Sequence, residues 1–191
     1  MRIVGGKHRG RTLSSPRGLN TRPTSDRARQ AVFNIIEHAA WRKRDLLENA
    51  DVLDLFAGTG AMGLEALSRG ARHAVFVEKD FEAIRSCEDN IKNMSLEACT
   101  VLMKQDATKI LARPPYIAPR SLVFLDPPYG MGLGEKALTA LLDKNWLHED
   151  AVCVFEMAKK QQEKIPAGFK VFDERDYGVA RVAFLGLGET P

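Results

Sequence analysis

The sequence predicts an α/β fold: a doubly wound, mostly parallel sheet with a terminal antiparallel hairpin, preceded by a basic N-terminal arm. Three observations carry this. From residue 51 onward short apolar runs alternate with helix-length segments; the runs are 52–57, 74–77, 100–103, 122–125 and 151–155. They are apolar almost throughout, as strands are when helices cover both faces of a parallel sheet. The last two strand-like runs, 169–174 and 179–187, are separated only by residues 175–178, a gap that fits an antiparallel hairpin.

In chain order, residues 1–23 hold four glycines, two prolines and few apolar side chains. They read as an extended arm, with a hairpin across 2–11, and not as a separately folding unit. Thr24 or Ser25 can cap a first helix whose opening turn holds Asp26, an acid suited to the positive helix end. Ala28, Ala31, Val32, Ile35, Ile36 and Ala39 give that helix an apolar face. Helices are expected over about 60–69, 80–94, 105–112 and 134–145, with Gly70 stopping the first of these. Residues 1–44 thus form a basic arm with its first helix and 45–191 the sheet domain, one compact domain overall.

The chain has 191 residues, enough for one domain with a full core. With 45% hydrophobic and 28% charged residues it has a globular composition, and no run is long and apolar enough to span a bilayer. Cys87, Cys99 and Cys153 are isolated, and the four histidines lack ligand spacing, so neither a disulfide framework nor a metal site is expected. A cytoplasmic protein that binds no membrane is the reading these features support; a monomer is expected, although no feature of the sequence reports the oligomeric state. Charge is unevenly placed. Residues 1–44 carry eleven Lys/Arg against Asp26 and Glu37, a net of +9, whereas the remainder carries 17 against 23, a net of −6. Such separation points to a polyanionic partner, with Arg2, Lys7, Arg9, Arg11, Arg22 and Arg27 as candidate phosphate contacts.

Open parallel sheets bind ligands beyond the carboxyl ends of their strands. Four predicted strands carry an acid at or near that end: Asp54, Glu78, Asp106 and Asp126. Each alone suits the N-cap of a following helix; together they suggest a site for hydroxyls and amines. After the first strand comes Asp54-Leu55-Phe56-Ala57-Gly58-Thr59-Gly60-Ala61-Met62-Gly63, a formal G-x-G-x-x-G, with Glu78 placed to bind ribose hydroxyls. A dinucleotide enzyme would need a second half for which there is little room. Asp54 instead suits the cationic amino-acid end of a methyl donor, and Asp106 can accept from an adenine amine.

The most informative segment is Leu122-Val123-Phe124-Leu125-Asp126-Pro127-Pro128-Tyr129. Two prolines stiffen the loop and bias the residues before them toward extended backbone. Asp126 and the Pro127 carbonyl can then accept from an exocyclic amine whose ring stacks on Tyr129. Accepting those hydrogens favours rehybridisation of a conjugated, weakly nucleophilic nitrogen and aims its lone pair at a methyl donor. Arg113-Pro114-Pro115-Tyr116 repeats the P-P-Y without an acid or a strand before it, and reads as a helix stop and loop.

The Asp-Pro-Pro-Tyr and Asp-Leu-Phe-Ala-Gly-Thr-Gly motifs resemble those of class I amino-methyltransferases. Arg2-Ile3-Val4-Gly5-Gly6, Arg9-Gly10-Arg11, Arg22-Pro23-Thr24-Ser25-Asp26-Arg27 and Phe33-Asn34 narrow the resemblance to the bacterial small-subunit ribosomal RNA guanine-N2 methyltransferase family, RsmD. The likeness runs nearly end to end; Gln30 stands where the pattern carries an acid. It implies a Rossmann-like fold, S-adenosylmethionine as cofactor, and one guanine of 16S RNA in an assembled or nearly assembled 30S particle as target. It also implies a cofactor site of Asp54, Phe56, Gly58, Gly60, Glu78 and Asp106, and a base site of Asp126, Pro127, Pro128 and Tyr129, with Thr24 and Arg27 nearby. The loop chemistry by itself leaves open adenine-N6 or protein-glutamine methylation. The basic arm by itself leaves open a non-catalytic RNA-binding assembly factor.

Overall fold

The computed structural model describes residues 1–15, 26–41, 44–161 and 163–188. Its elements are α1 (Asp26–His38), β1 (Asp51–Leu55), α2 (Ala61–Ser68), β2 (His73–Glu78), α3 (Phe81–Asn93), β3 (Thr100–Lys104), β4 (Arg120–Leu125), α4 (Leu133–Asp143), β5 (Leu147–Ala158), β6 (Phe169–Tyr177) and β7 (Ala180–Leu187). One seven-stranded sheet has the order β3-β2-β1-β4-β5-β7-β6. The five strands β1 to β5 pair in parallel, and β7 joins β5 and β6 antiparallel. The predicted architecture, a doubly wound sheet with a terminal hairpin, is the one observed.

The alternation of side chains along each strand sorts the core into two layers. Val52, Ala74, Phe76, Leu122, Phe124, Val152 and Val154 face one way, against α1, α2, α3 and the N-terminal segment. Leu53, Leu55, Val75, Val77, Val123, Leu125, Cys153 and Phe155 face the other, against α4, Trp146 and Ile110. Because both faces are covered, the central strands β1, β2 and β4 have almost no polar side, which is why they read as continuous apolar runs. In α1 the apolar stripe buries Val32, Phe33 and Ile36, with the Phe33 ring 5.6 Å from that of Phe124. Burying one such ring stabilises the fold by roughly 1.5–3 kcal/mol.

Three elements differ from expectation, the simplest being β5, which runs Leu147–Ala158 where the apolar run covers only 151–155. The helix predicted over 105–112 is only a single 3-10 turn, Ala107–Lys109. Asp106 accepts from the Thr108 amide at 2.9 Å and its hydroxyl at 2.7 Å, closing a local turn. Pro114 and Pro115 then bias the residues just before them toward extended backbone. The terminal hairpin is longer than predicted: Tyr177 pairs with Ala180 across a two-residue turn at Gly178 and Val179. Arg181 bridges to Asp176 and Glu174 along it, and those charges look like a loop in sequence. Caps expected at Thr24 or Ser25 lie outside the described residues.

The N-terminal segment folds back as the hairpin expected over 2–11, with Arg2 bridged to Thr12, and it inserts Ile3 and Leu13 into the core. Its backbone is held by α2. Glu65, fully buried, accepts from the Val4 amide at 2.8 Å, the Gly5 amide at 2.7 Å and Arg69 Nε at 2.8 Å. Arg29 of α1, also fully buried, lies 3.6 Å from the same carboxylate. Removing one member of a buried ion pair strands the other without its counter-charge. Glu65→Ala should therefore lower the unfolding free energy by about 3–5 kcal/mol, read as a lowered urea midpoint; a loss typical of a surface charge would reduce Glu65 to an incidental contact.

Candidate active site

In the strand order the chain runs outward from β1 in one direction and from β4 in the other, so the topological switch point lies between them. Leu55 of β1 is in register with Leu125 of β4. The residues that follow, the glycine loop from Phe56 and the Asp-Pro-Pro-Tyr loop from Asp126, therefore leave the sheet side by side at its carboxyl edge. The second P-P-Y lies at the opposite edge, before β4 begins, where Tyr116 is 82% exposed. Two similar tripeptides are thus put at opposite ends of one strand.

The glycine loop is a network of backbone amides tied to carboxylates. Gly58 N–H donates to Glu78 Oε2 at 2.9 Å and Gly63 N–H to Asp54 Oδ2 at 2.8 Å. Gly63 admits no side chain, since a Cβ there would sit 2.4 Å from the Phe76 ring. At Gly58 the backbone is left-handed, φ +55°, and a Cβ would meet almost nothing, so the loop presents bare backbone to open space. Phe56 holds φ 57°, a conformation unusual for an aromatic residue. Its ring is half-buried against the α4 layer of the core.

The three carboxylates of this edge differ in setting. Burial pushes Asp54 up from 3.8 to about 8, against the Gly63 hydrogen bond, with the Glu78 charge adding to the rise. Glu78 also accepts from the Lys79 and Asp80 amides at 2.7 and 2.9 Å, so it organises the start of α3, which Asp80 caps through the Ala83 amide. Asp106 is held below the usual carboxylate range by the Thr108 hydroxyl and amide, with Lys79 Nζ at 3.3 Å. All three have the helix- or turn-ordering role that any single acid here could have, and all three line one edge.

On the neighbouring loop Pro127 is buried, Asp126 and Pro128 are exposed, and Tyr129 is half-buried. The Tyr129 hydroxyl donates to Glu156 Oε1 at 2.7 Å. Among the candidate phosphate contacts, Arg2, Lys7, Arg9, Arg11 and Arg27 are exposed, and Arg22 lies outside the described residues. Two of them also have structural partners: Arg2 pairs with Asp26 at 3.5 Å, and Arg11 donates to the Asn93 carbonyl at the end of α3. Arg29, which adds to the charge of the basic segment, points inward.

Several residues escape a motif search. Asn90 of α3 donates to the Ser14 carbonyl at 3.1 Å and the Thr59 carbonyl at 3.0 Å, and accepts from the Ser14 amide, so it joins the N-terminal segment to the glycine loop. Arg69 donates to Glu37 at 2.8 Å and to Gln30 at 3.2 Å; an amide oxygen thus accepts at the position where the resemblance led to the expectation of an acid. Two others carry a signal in the sequence: Glu65 and Glu156 are lone acids in apolar stretches, Ala61-Met62-Gly63-Leu64-Glu65-Ala66-Leu67 and Val152-Cys153-Val154-Phe155-Glu156-Met157. Among the described residues no cluster of three His, Cys, Asp or Glu is placed to hold a metal ion. None of their helices is long and apolar enough to cross a membrane.

The architecture is the Rossmann-like fold of methyltransferases. It superposes on an RNA methyltransferase from Salinibacter ruber, solved in complex with S-adenosyl-L-homocysteine, with a TM-score of 0.63 at 17% identity, covering 88% of this chain and 96% of that one. The family model "Conserved hypothetical protein 95" matches residues 1–186, and the chain belongs to that family. It is 34% identical over 179 residues to ribosomal RNA small subunit methyltransferase D of Escherichia coli K12, covering 93% of this chain and 85% of that one. The solved structure of yhhF from Escherichia coli superposes with a TM-score of 0.83 at 32% identity, over 100% of this chain and 99% of its own.

Asp54 yields a prediction with a definite sign. An acid whose proton is held more tightly folded than unfolded contributes stability below its unfolded value, and that contribution is lost as pH rises through the folded value. For Asp54 the window runs from the ordinary 3.8 to about 8. Asp54→Asn, which keeps an acceptor for Gly63, should gain stability relative to the native chain across this window and no further above it. Urea unfolding from pH 5 to 9 measures the difference; parallel curves would show that Asp54 ionises freely.

Proposed function

We propose that this chain transfers a methyl group from S-adenosylmethionine to the exocyclic N2 of a guanine in small-subunit (16S) ribosomal RNA. The observation that carries the reading is the emergence of the glycine loop and the Asp-Pro-Pro-Tyr loop side by side at the switch point. A donor held by the first faces an amine held by the second. Methylation of ribosomal RNA is the activity named for the Escherichia coli relative. The choice of guanine N2 rests on the motif resemblance, and a substrate in the ribosomal particle puts the work in the cytoplasm.

The residues present fit the cofactor. The bare backbone at Gly58 lets a nucleoside lie close, Gly60 lets the loop pack tightly on Cys87 and Phe76 behind it, and Glu78 supplies an acceptor for ribose hydroxyls. Asp54, buried below the loop, suits the cationic amino-acid end, and Asp106 the adenine amine. Phe56 opens the same loop. When bound, S-adenosylmethionine supplies an electrophilic methyl on its sulfonium. Asp126 and the Pro127 carbonyl accept the hydrogens of the guanine amine and turn its lone pair toward that methyl. Pro127 and Pro128 hold these acceptors on a stiff backbone, so little orientation is left to lose at the moment of reaction. Tyr129 offers its ring for stacking, the usual way an unpaired RNA base is held. The exposed cations of the N-terminal hairpin contact phosphates, which position the RNA without reading its sequence.

The test is to incubate the protein and methyl-labelled S-adenosylmethionine with 30S particles, and with 16S RNA alone, from a strain lacking the modification, then digest the RNA to nucleosides. Label is expected in 2-methylguanosine, with particles preferred. Label in 6-methyladenosine would move the reading to adenine, and label only in protein would end the RNA assignment. Asp126→Ala should bind cofactor as the native chain does and lose about 100-fold or more in single-turnover rate, the scale of a positioning loss at the reacting atoms. A near-normal rate would remove Asp126 from catalysis. Lys7→Glu with Arg9→Glu should weaken particle binding and lower the salt slope by roughly 0.7–0.9 for each phosphate no longer neutralised. An unaltered slope would show that the RNA follows another surface.

A further inference from the structure

Glu156 belongs to none of the motifs above, yet three features of the fold bring it to the base-binding loop. Phe155 is in register with Leu125, so Glu156 follows on β5 where Asp126 follows on β4. Val152 and Val154 face the layer packed against α1 and the N-terminal hairpin, and alternation turns Glu156 to that same side. Its carboxylate meets the Tyr129 hydroxyl at 2.7 Å. From this geometry we infer that Glu156 is a positioning residue for methyl transfer: it fixes the tilt of the Tyr129 ring, and so the plane in which the target base stacks. The inference rests on the stacking role given to Tyr129 above.

Pro127 and Pro128 restrain the backbone up to Tyr129, but Gly130 follows at φ 78° and Gly132 at φ 62°, and neither carries a side chain to brace the ring. A tyrosine ring turns about two torsions, the second of them soft. A hydrogen bond at the para oxygen, the point farthest from the backbone, limits both. The carboxylate oxygen that accepts lies on a strand paired on both sides, through Phe155 to β4 and through Val182 to β7. The acceptor is therefore built on the sheet and not on the loop it restrains, so ring orientation is referred to the same frame that places Asp126.

Four variants of the full chain, E156A, E156Q, Y129F and the double variant E156A/Y129F, test this on 30S particles lacking the modification. E156A and Y129F should each lower kcat by roughly 10- to 100-fold, the cost of a small misplacement, with cofactor affinity unchanged. The double variant should fall no further than either single one, and E156Q, whose amide oxygen still accepts, should recover most of the rate. A slow E156A beside a normal Y129F would put Glu156 on the substrate itself and overturn the proposal, as would additive losses. A second readout needs no RNA: with 13C-labelled tyrosine, the Tyr129 ring signal of the cofactor-bound protein should move in E156A and return in E156Q. An unmoved signal sinks the inference whatever the substrate proves to be. A native chain that labels no RNA would sink the functional reading, while the ring signal still decides the role of Glu156.

Discussion

One buried carboxylate holds the parts of this protein in their relative places. Glu65 sits in the middle of α2, whose first turn is the end of the glycine loop. It accepts from two backbone amides of the N-terminal hairpin and from Arg69, with the buried Arg29 of α1 alongside. Leaving the buried carboxylate or either amide without its partner would cost free energy, while Arg29 contributes its charge to Glu65 at 3.6 Å and not a hydrogen bond. A buried ion pair of this kind adds little net stability over well-packed apolar groups. What it provides here is a single docking geometry: shifting the hairpin by one residue would leave Glu65 facing the wrong amides. Asn90 makes the second tie, binding Ser14 on one side and the Thr59 carbonyl on the other. The segment that carries the exposed cations is thereby held in a defined position relative to the loop proposed to hold the cofactor.

The carboxyl edge of the sheet shows how structural and binding roles share the same atoms. Parallel strands end by pointing into loops whose amides need acceptors, and Asp54, Glu78 and Asp106 supply them. A carboxylate has more acceptor capacity than one amide consumes. The residue that orders the loop can thus also face a hydroxyl or an amine. Asp54 is the extreme case. Its burial favours the neutral form, and a cationic group brought beside it would restore the charge.

Charge counting along the N-terminal segment mixes side chains that the fold separates. Arg29 points into the core, Arg11 is bonded to the end of α3 and Arg2 pairs with Asp26, whereas Lys7 and Arg9 lie on the exposed turn of the hairpin. The net excess is real, but part of it serves packing. The basic stretch is thus both an anchored hairpin and a charged surface, and only its geometry tells which cation does which.

The sequence by itself determined the layers and the motifs. Uniformly apolar strands alternating with amphipathic helices dictate a parallel sheet covered on both faces, and the acid-ended strands at Asp54, Glu78 and Asp126 put the candidate site at its carboxyl edge. These signals are local: each is written in a window no longer than one element. The short turn at Ala107–Lys109 reads as part of a helix because its apolar spacing is helical, while the hydrogen bonds of Asp106 and the prolines beyond it decide otherwise. What only the tertiary structure decided are the pairings between distant residues: Glu65 with Val4 and Gly5, Asn90 with Ser14 and Thr59, Glu156 with Tyr129. Each joins groups that lie 27 or more positions apart, so no periodicity or spacing encodes it. Such pairs are chosen by strand register and by the cost of burying a polar group without a partner, and both exist only once the sheet has formed.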